Sequence, residues 1–295
     1  MHVNIVTVSS GWILQKIAER MVKNNHNSEV TMTVSHYPDI TADVNYYADL
    51  QNCYFGLKTN LDIAYFTHAD ENSKQWLTTL LKQRNGYSLD GIVSMNKRYT
   101  DMLEEVGYDK NKLTTITPGQ TFDIFPLKKT TIGIVSKGGY PGYGQQFMEN
   151  MLRQYNFEHY NIKILGDGWG NLKAIADSKN ISLEMLSDSD YSIYPKFYQD
   201  IDYLLIPGLW TAGPMSMQEA LSSGVPVIGS NVGFVNYEFM SDYVFEPNDV
   251  QGLINILEEI NEPKLKRRAQ VSSMTWEKYT KDIIQFITKI KNNKI

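Results

Sequence analysis

The sequence predicts an α/β protein built of two doubly wound domains in tandem, with a carboxyl-terminal helix that crosses back to the first. Three observations carry this. Short runs rich in β-branched residues alternate with stretches of helical period. The alternation halts in an exposed connector and starts afresh near residue 126. The length, 295 residues, is about twice that of a usual domain.

The elements follow in order. Residues 3–8 form an apolar run that stops at Ser9-Ser10-Gly11, after which Trp12, Ile13, Ile17 and Met21 recur at helical spacing. Residues 30–34, 62–66 and 91–94 read as further strands, the second ending at Thr67-His68-Ala69-Asp70, with a helix over 96–106. Residues 115–117 run into a turn at Pro118-Gly119, and 122–129 read as the connector. The second series has a strand at 131–135, a glycine-rich loop from Gly138 to Gly144, and a helix bearing Phe147, Met148, Met151, Leu152 and Tyr155 on one face. Strands at 161–165, 202–206, 225–228 and 243–245 follow, with helices at 214–221 and 250–260. Trp276, Tyr279, Ile283, Phe286 and Ile290 mark the apolar stripe of the last helix. The expected domains are therefore 1–125 and 126–275, with 276–295 packing on the first.

Composition narrows the function. The chain is 42% hydrophobic and 21% charged, ordinary values for a globular protein with real cores. A net charge of −5 argues against a surface that grips nucleic acid throughout. Cys53 is the one cysteine, so no intramolecular disulfide and no multi-cysteine metal site is available. The amino terminus lacks the pattern of a signal peptide and no 18-residue apolar run occurs, so a soluble cytoplasmic protein is expected, with peripheral contact at the inner face of a membrane left open.

The most informative stretch is 203–230. An apolar strand enters a loop, Pro214 suits the first turn of a helix continuing through Met215, Gly224 suits its left-handed end, and a second apolar strand follows. A helix start facing the carboxyl edge of a parallel sheet favours anions, most often phosphate. Glu219, one and a half turns into that helix, is placed to accept hydrogen bonds from vicinal hydroxyls; a solvent-facing glutamate is the ordinary alternative. Asp188-Ser189-Asp190 and Asp200-Ile201-Asp202 spell the Asp-x-Asp used elsewhere to hold a divalent cation, but a polar turn and a strand entry are the wrong context, and no metal site is expected. The basic run 264–268 reads as a solvated helix face.

These residues resemble the nucleotide-sugar glycosyltransferases of the GT-B fold, two Rossmann-like domains, and in particular the retaining family 4 (glycosyl transferases group 1). The resemblance rests on Pro207-Gly208, Gly213-Pro214, Glu219-Ala220, Gly224-Val225-Pro226-Val227-Ile228 and Asn231-Val232-Gly233, supported by Ile116-Thr117-Pro118-Gly119, Ile164-Leu165-Gly166-Asp167-Gly168 and Glu246-Pro247-Asn248-Asp249. It covers residues 91–290 well and 1–90 in layout only.

The resemblance implies a donor-binding second domain with Glu219 on the donor ribose. Lys137, helped by the amides of Gly138 and Gly139, would neutralise the departing diphosphate together with Gly213, Pro214 and Met215 at the helix start, and Ser136 and Gly166 fall in the same donor-binding set. Thr211 stands where the family has a glutamate, and Tyr143-Gly144 where it has a lysine. In the acceptor-side first domain, Gly11 would approach the donor phosphates and His68 would lie near the acceptor, with closure of the two domains excluding water and the 115–126 connector as hinge. The implied reaction is transfer from a nucleoside-diphosphate sugar, UDP favoured, to a hydroxyl of a glycan, a lipid-linked sugar, a protein or a small molecule, retaining, without metal or other cofactor. A nucleotide-sugar 2-epimerase and a catalytically degenerate binding subunit stay open as alternatives. A modified base in phage DNA is the minority acceptor.

Overall fold

The computed structural model describes residues 1–7, 13–50, 53, 60–67, 74–83, 88–140, 142–187, 190–210, 214–233, 235 and 241–293. The chain divides into two units, Met1–Phe125 with Ala269–Ile295, and Pro126–Arg268.

The first unit runs β1 (His2–Val6), α1 (Ile13–Lys23), β2 (Thr31–Ser35), β3 (Val44–Tyr47), β4 (Asp62–Phe66), α2 (Lys74–Gln83), β5 (Gly91–Ser94), α3 (Lys97–Glu105) and β6 (Leu113–Thr115). Its strands form a parallel sheet in the order β2-β1-β3-β4-β5-β6. Every residue of β3, β4 and β5 is buried, as expected where helices cover both faces of a parallel sheet. Alternate side chains serve opposite faces: Ile5, Tyr46 and Ile63 pack with Leu14, Ile17 and Met21 of α1, while Tyr47, Ala64 and Ile92 pack with Leu77, Leu81 and Leu103.

The second unit runs β7 (Thr130–Val135), α4 (Gln145–Gln154), β8 (Tyr160–Leu165), α5 (Gly170–Ser178), β9 (Ser182–Leu186), α6 (Tyr194–Gln199), β10 (Tyr203–Ile206), α7 (Met215–Ser222), β11 (Val227–Ser230), β12 (Tyr243–Phe245) and α8 (Val250–Val271), the last continuing into the first unit. Its sheet is also parallel, in the order β12-β11-β10-β7-β8-β9. The direction of winding reverses between β7 and β10, and the carboxyl ends of two such strands leave a crevice between their departing loops.

The final helix α9 (Trp276–Asn292) belongs to the first unit. Thr275 caps it by accepting from the Lys278 amide at 3.1 Å. Its buried stripe, Tyr279, Ile283, Phe286, Ile287 and Ile290, joins the cluster that includes Val3 and Leu14. The Phe286 ring lies 3.0 Å from where a β-carbon on Gly91 would stand, so the bare backbone of β5 lets the helix settle onto the sheet.

Several expectations are corrected. Two strands escape the sequence pattern: β3 is only four residues with a polar Asn45 inside it, and the edge strand β9 reads Ser-Leu-Glu-Met-Leu. Residues 269–275 go with the first unit rather than the second, because the Gln120 amide donates to the Met274 carbonyl at 2.6 Å and Gln120 bridges Thr275. Helix α8 continues past Ile260 and through Pro263 to Val271. No apolar stripe marks that extension; a Glu262–Lys266 ion pair at 2.8 Å and a bond from Lys264 to the Lys128 carbonyl at 3.3 Å support it instead.

Candidate functional site

A cleft of about 580 Å3 opens at the switch point of the second unit. Val135, Ser136 and Lys137 line it from the end of β7, and Ile206, Pro207 and Gly208 from the end of β10. Pro214, Met215, Ser216 and Glu219 line it from α7, and Tyr140, Tyr143, Tyr191 and Tyr194 contribute aromatic rings.

Helix α7 is anchored at both ends. Pro214 occupies the N-cap without a side-chain acceptor, and the helix closes through Gly224 at φ 72°. There the Gly224 amide donates to the Leu221 carbonyl at 3.1 Å and the Val225 amide to the Ala220 carbonyl at 2.9 Å, a pairing that satisfies the last carbonyls before β11 begins. Met217 and Ala220 are buried on one side, which turns the half-buried Glu219 towards the cleft.

The Glu219 carboxylate is held by two phenols. The Tyr191 hydroxyl donates to Oε1 at 2.7 Å and the Tyr198 hydroxyl to Oε2 at 2.7 Å. Burial first, and then the bond to Glu219, drives the Tyr198 phenol well above its usual range. For Tyr191 the bond to Glu219 is the main cause of an upward shift. Both phenols therefore keep their protons at neutral pH and act as donors. An ionised carboxylate has about four acceptor positions, so two remain for other groups. Neither tyrosine was legible as a site residue, since they stand 28 and 21 residues from Glu219 and meet it only through the order of the sheet.

The glycines of the β7 loop serve a different purpose from the one expected. Gly138 and Gly139, like Gly166, do not line the cleft. The Gly138 amide donates to the Asp167 carbonyl at 2.7 Å and the Gly139 amide to Gln145 Oε1 at 2.6 Å, so both are already engaged within the protein. A β-carbon on Gly166, at φ 140°, would lie 2.1 Å from the Ser136 carbonyl oxygen. Adjacent strand ends thus pack backbone on backbone, fixing Ser136 and Lys137 at the rim. The buried Trp169 indole adds a bond to the Ser136 carbonyl at 2.8 Å.

Lys137 is exposed and is the single basic side chain among the described residues lining the cleft. Of the other expected site residues, Ser136, Pro214, Met215 and Glu219 line it with Lys137, whereas Gly11, His68, Thr211 and Gly213 lie outside the described residues. Asp188 also lies outside them, and Asp202 accepts from the Thr131 amide at 2.8 Å, a bond that aligns the starts of β10 and β7. Asp200 pairs with Lys196 at 2.7 Å and lies 3.7 Å from Lys163.

A six-stranded parallel sheet with a carboxylate, a lysine and aromatic rings around its switch-point crevice defines the class: a doubly wound α/β domain with a cleft where such sheets take their ligands. Residues 146–278 match the family described as Glycosyl transferases group 1. That segment contains Glu219 and most of the residues on which the resemblance to family 4 rests. Among curated proteins, the chain is 32% identical over 75 residues to the Escherichia coli UDP-Gal:alpha-D-GlcNAc-diphosphoundecaprenol alpha-1,3-galactosyltransferase. That match spans 24% of this chain and 19% of the E. coli protein's length. Among solved structures, the chain is similar to the apo lipopolysaccharide outer core galactosyltransferase WaaB (TM-score 0.41, 11% identity, 98% of this chain and 99% of that one). It is likewise similar to Anabaena HepE in complex with UDP-glucose (TM-score 0.39, 11% identity, 99% of each).

Proposed function

We propose that the protein is a glycosyltransferase that moves a sugar from a nucleoside diphosphate to a hydroxyl acceptor, with retention of configuration and without a metal ion. One observation carries the reading: at the switch-point crevice of a unit that matches glycosyl transferases group 1, a carboxylate oriented by two phenols shares a cleft with a lysine.

The roles follow from the chemistry. In the transfer, the bond from the anomeric carbon to the diphosphate oxygen breaks with its electron pair leaving on that oxygen, a bond to the acceptor oxygen forms, and the acceptor proton passes to the departing diphosphate. Negative charge grows on the departing diphosphate and must be met by a preorganised cation. Lys137 is assigned that role, together with the start of α7. Glu219 is assigned the ribose hydroxyls, and Ser136, Pro214 and Met215 the cleft walls around the donor. Thr211 and Gly213 beside the donor, and Gly11 and His68 on the acceptor side in the first unit, are assigned by the family resemblance. The name of the E. coli relative supports UDP as the carrier and a lipid-linked sugar as an acceptor class, which accords with peripheral work at a membrane. Among the described residues no helix is long and apolar enough to cross one.

A thermal-shift screen against UDP-, GDP-, ADP- and dTDP-sugars tests the reading, because a ligand at 100 times its dissociation constant stabilises by about 2.7 kcal/mol. A shift with one nucleotude series, followed by acceptor-dependent release of the diphosphate, is the expected result. No shift with any nucleotide overturns the proposal. Binding without turnover across an acceptor panel makes the chain a binding subunit, and conversion of the donor alone makes it an epimerase.

A further inference from the structure

We infer that Tyr198 and Tyr191 play opposite parts at Glu219: Tyr198 is a positioning residue that fixes the carboxylate for a ligand diol, and the Tyr191 hydroxyl is a placeholder that the ligand displaces. The inference rests on the reading of Glu219 as the acceptor for nucleotide hydroxyls.

The two contacts have the same length but different surroundings. Tyr198 is 3% exposed, packs edge-on against Phe197 with ring centroids 5.9 Å apart, and does not line the cleft. Its hydroxyl reaches Glu219 Oε2 from the buried side and has the Ser216 carbonyl at 3.3 Å as a further acceptor. Losing its ring position would require repacking of the core beneath α7. Tyr191 is 66% exposed, lines the cleft, and sits on the 3-10 turn 191–193, where Asp190 accepts from the Ser192 amide at 2.8 Å. Its ring rests on Tyr194 with centroids 4.5 Å apart.

The Tyr191 hydroxyl therefore occupies, on the open side of the carboxylate, the volume that a ligand hydroxyl would take. Exchanging one hydroxyl donor for another leaves the carboxylate equally satisfied, so displacement sacrifices little and the ring stays on Tyr194 to border the ligand. Exchange at Tyr198 is blocked by burial. An empty site is thus kept from leaving a bare carboxylate, while its orientation is set from below.

Calorimetric titration of UDP and 2′,3′-dideoxy-UDP into the wild type, Tyr198→Phe and Tyr191→Phe tests this; each substitution removes one hydroxyl and keeps the ring. The wild type is expected to prefer UDP by roughly tenfold, since one ribose hydroxyl replaces Tyr191 with little net gain while the other takes an acceptor position still open on the charged carboxylate. Tyr198→Phe is expected to lose most of that preference through weaker UDP binding, with dideoxy-UDP affinity unchanged. Tyr191→Phe is expected to bind UDP roughly two- to fivefold tighter with the preference kept or enlarged. Equal losses in the two variants, or a Tyr198→Phe protein that weakens both nucleotides alike, overturn the inference and leave the Glu219 assignment standing. A wild type that binds both nucleotides equally overturns the Glu219 assignment and the inference with it. A wild type that binds no nucleoside diphosphate sinks the broader reading. If Tyr198→Phe does not fold, the Tyr191→Phe result decides, because weaker or unchanged UDP binding there excludes a placeholder.

Discussion

Replacing Glu219 with alanine removes the group on which the donor assignment turns, and the structure allows its two consequences to be separated. With the carboxylate gone, the buried Tyr198 hydroxyl keeps only the Ser216 carbonyl at 3.3 Å, a long bond. The exposed Tyr191 hydroxyl turns to water. The fold thus loses about 2 kcal/mol, the usual net worth of a hydrogen bond to a charged group, and the second unit melts roughly 4–8 °C lower. Nucleotide binding loses a comparable amount. A hydrogen bond to a charged group contributes about 1.5–3 kcal/mol, so forfeiting one ribose contact weakens UDP by roughly tenfold to a hundredfold. Isothermal titration with UDP, beside a thermal melt of the free protein, reads both numbers. Glu219→Gln is the companion variant: it preserves volume and one acceptor oxygen, and should fall between the wild type and alanine. A dissociation constant for Glu219→Ala within twofold of the wild type, with the protein folded, would make the carboxylate a structural partner of the tyrosines and nothing more.

Three further outcomes are expected. Lys137→Ala should lower the rate of diphosphate release from a UDP-sugar by roughly a hundredfold while changing UDP affinity far less, as befits a cation that answers charge developing in the transition state; steady-state kinetics that shift KM alone would contradict it. Gly166→Ala, forced to φ 140° with its new carbon 2.1 Å from the Ser136 carbonyl, should destabilise by about 3 kcal/mol or prevent folding, whereas Gly170→Ala, with nothing within 4 Å, should stabilise by about 0.5 kcal/mol; urea melts of the pair check the contrast. The Lys291 ammonium bonded to Asp43 at 2.8 Å is the chief cause that lowers the Asp43 carboxyl below its ordinary value of 3.8. A depressed carboxyl contributes stability that is whole above its unfolded value and lost as pH falls through its folded one. The melting difference between Lys291→Ala and the wild type should therefore be small at pH 7, well under 1 kcal/mol for so exposed a pair, and shrink to nothing as the pH falls through the lowered value of the folded carboxyl; a difference that grows on acidification would reverse the sign.

Both series of strands and helices are legible in the chain, because a parallel strand buried on both faces and a helix with one apolar stripe each leave a local signature. So is the position of Glu219 on its helix, since Pro214 and Gly224 mark the two ends of α7 within eleven residues of chain. Short strands such as β3 and β9 left too little signature, and the prolongation of α8 past Pro263 carries no apolar stripe for periodicity to record. What surrounds the carboxylate depends on how the strands are ordered in space. Tyr191 and Tyr198 come from the segments on either side of the α6 start, and the sheet order lays those segments against α7. The glycines show the same division. Their clustering from 138 to 144 marked a loop of close backbone approach, but whether the approaching group is a ligand or another loop depends on which strand lies next to β7. The neighbours are β8, whose loop at 166–168 takes up the space beside Gly138 and engages its amide, and β10, whose end at Pro207 meets Gly144, because adjacent parallel strands release their loops at the same edge of the sheet.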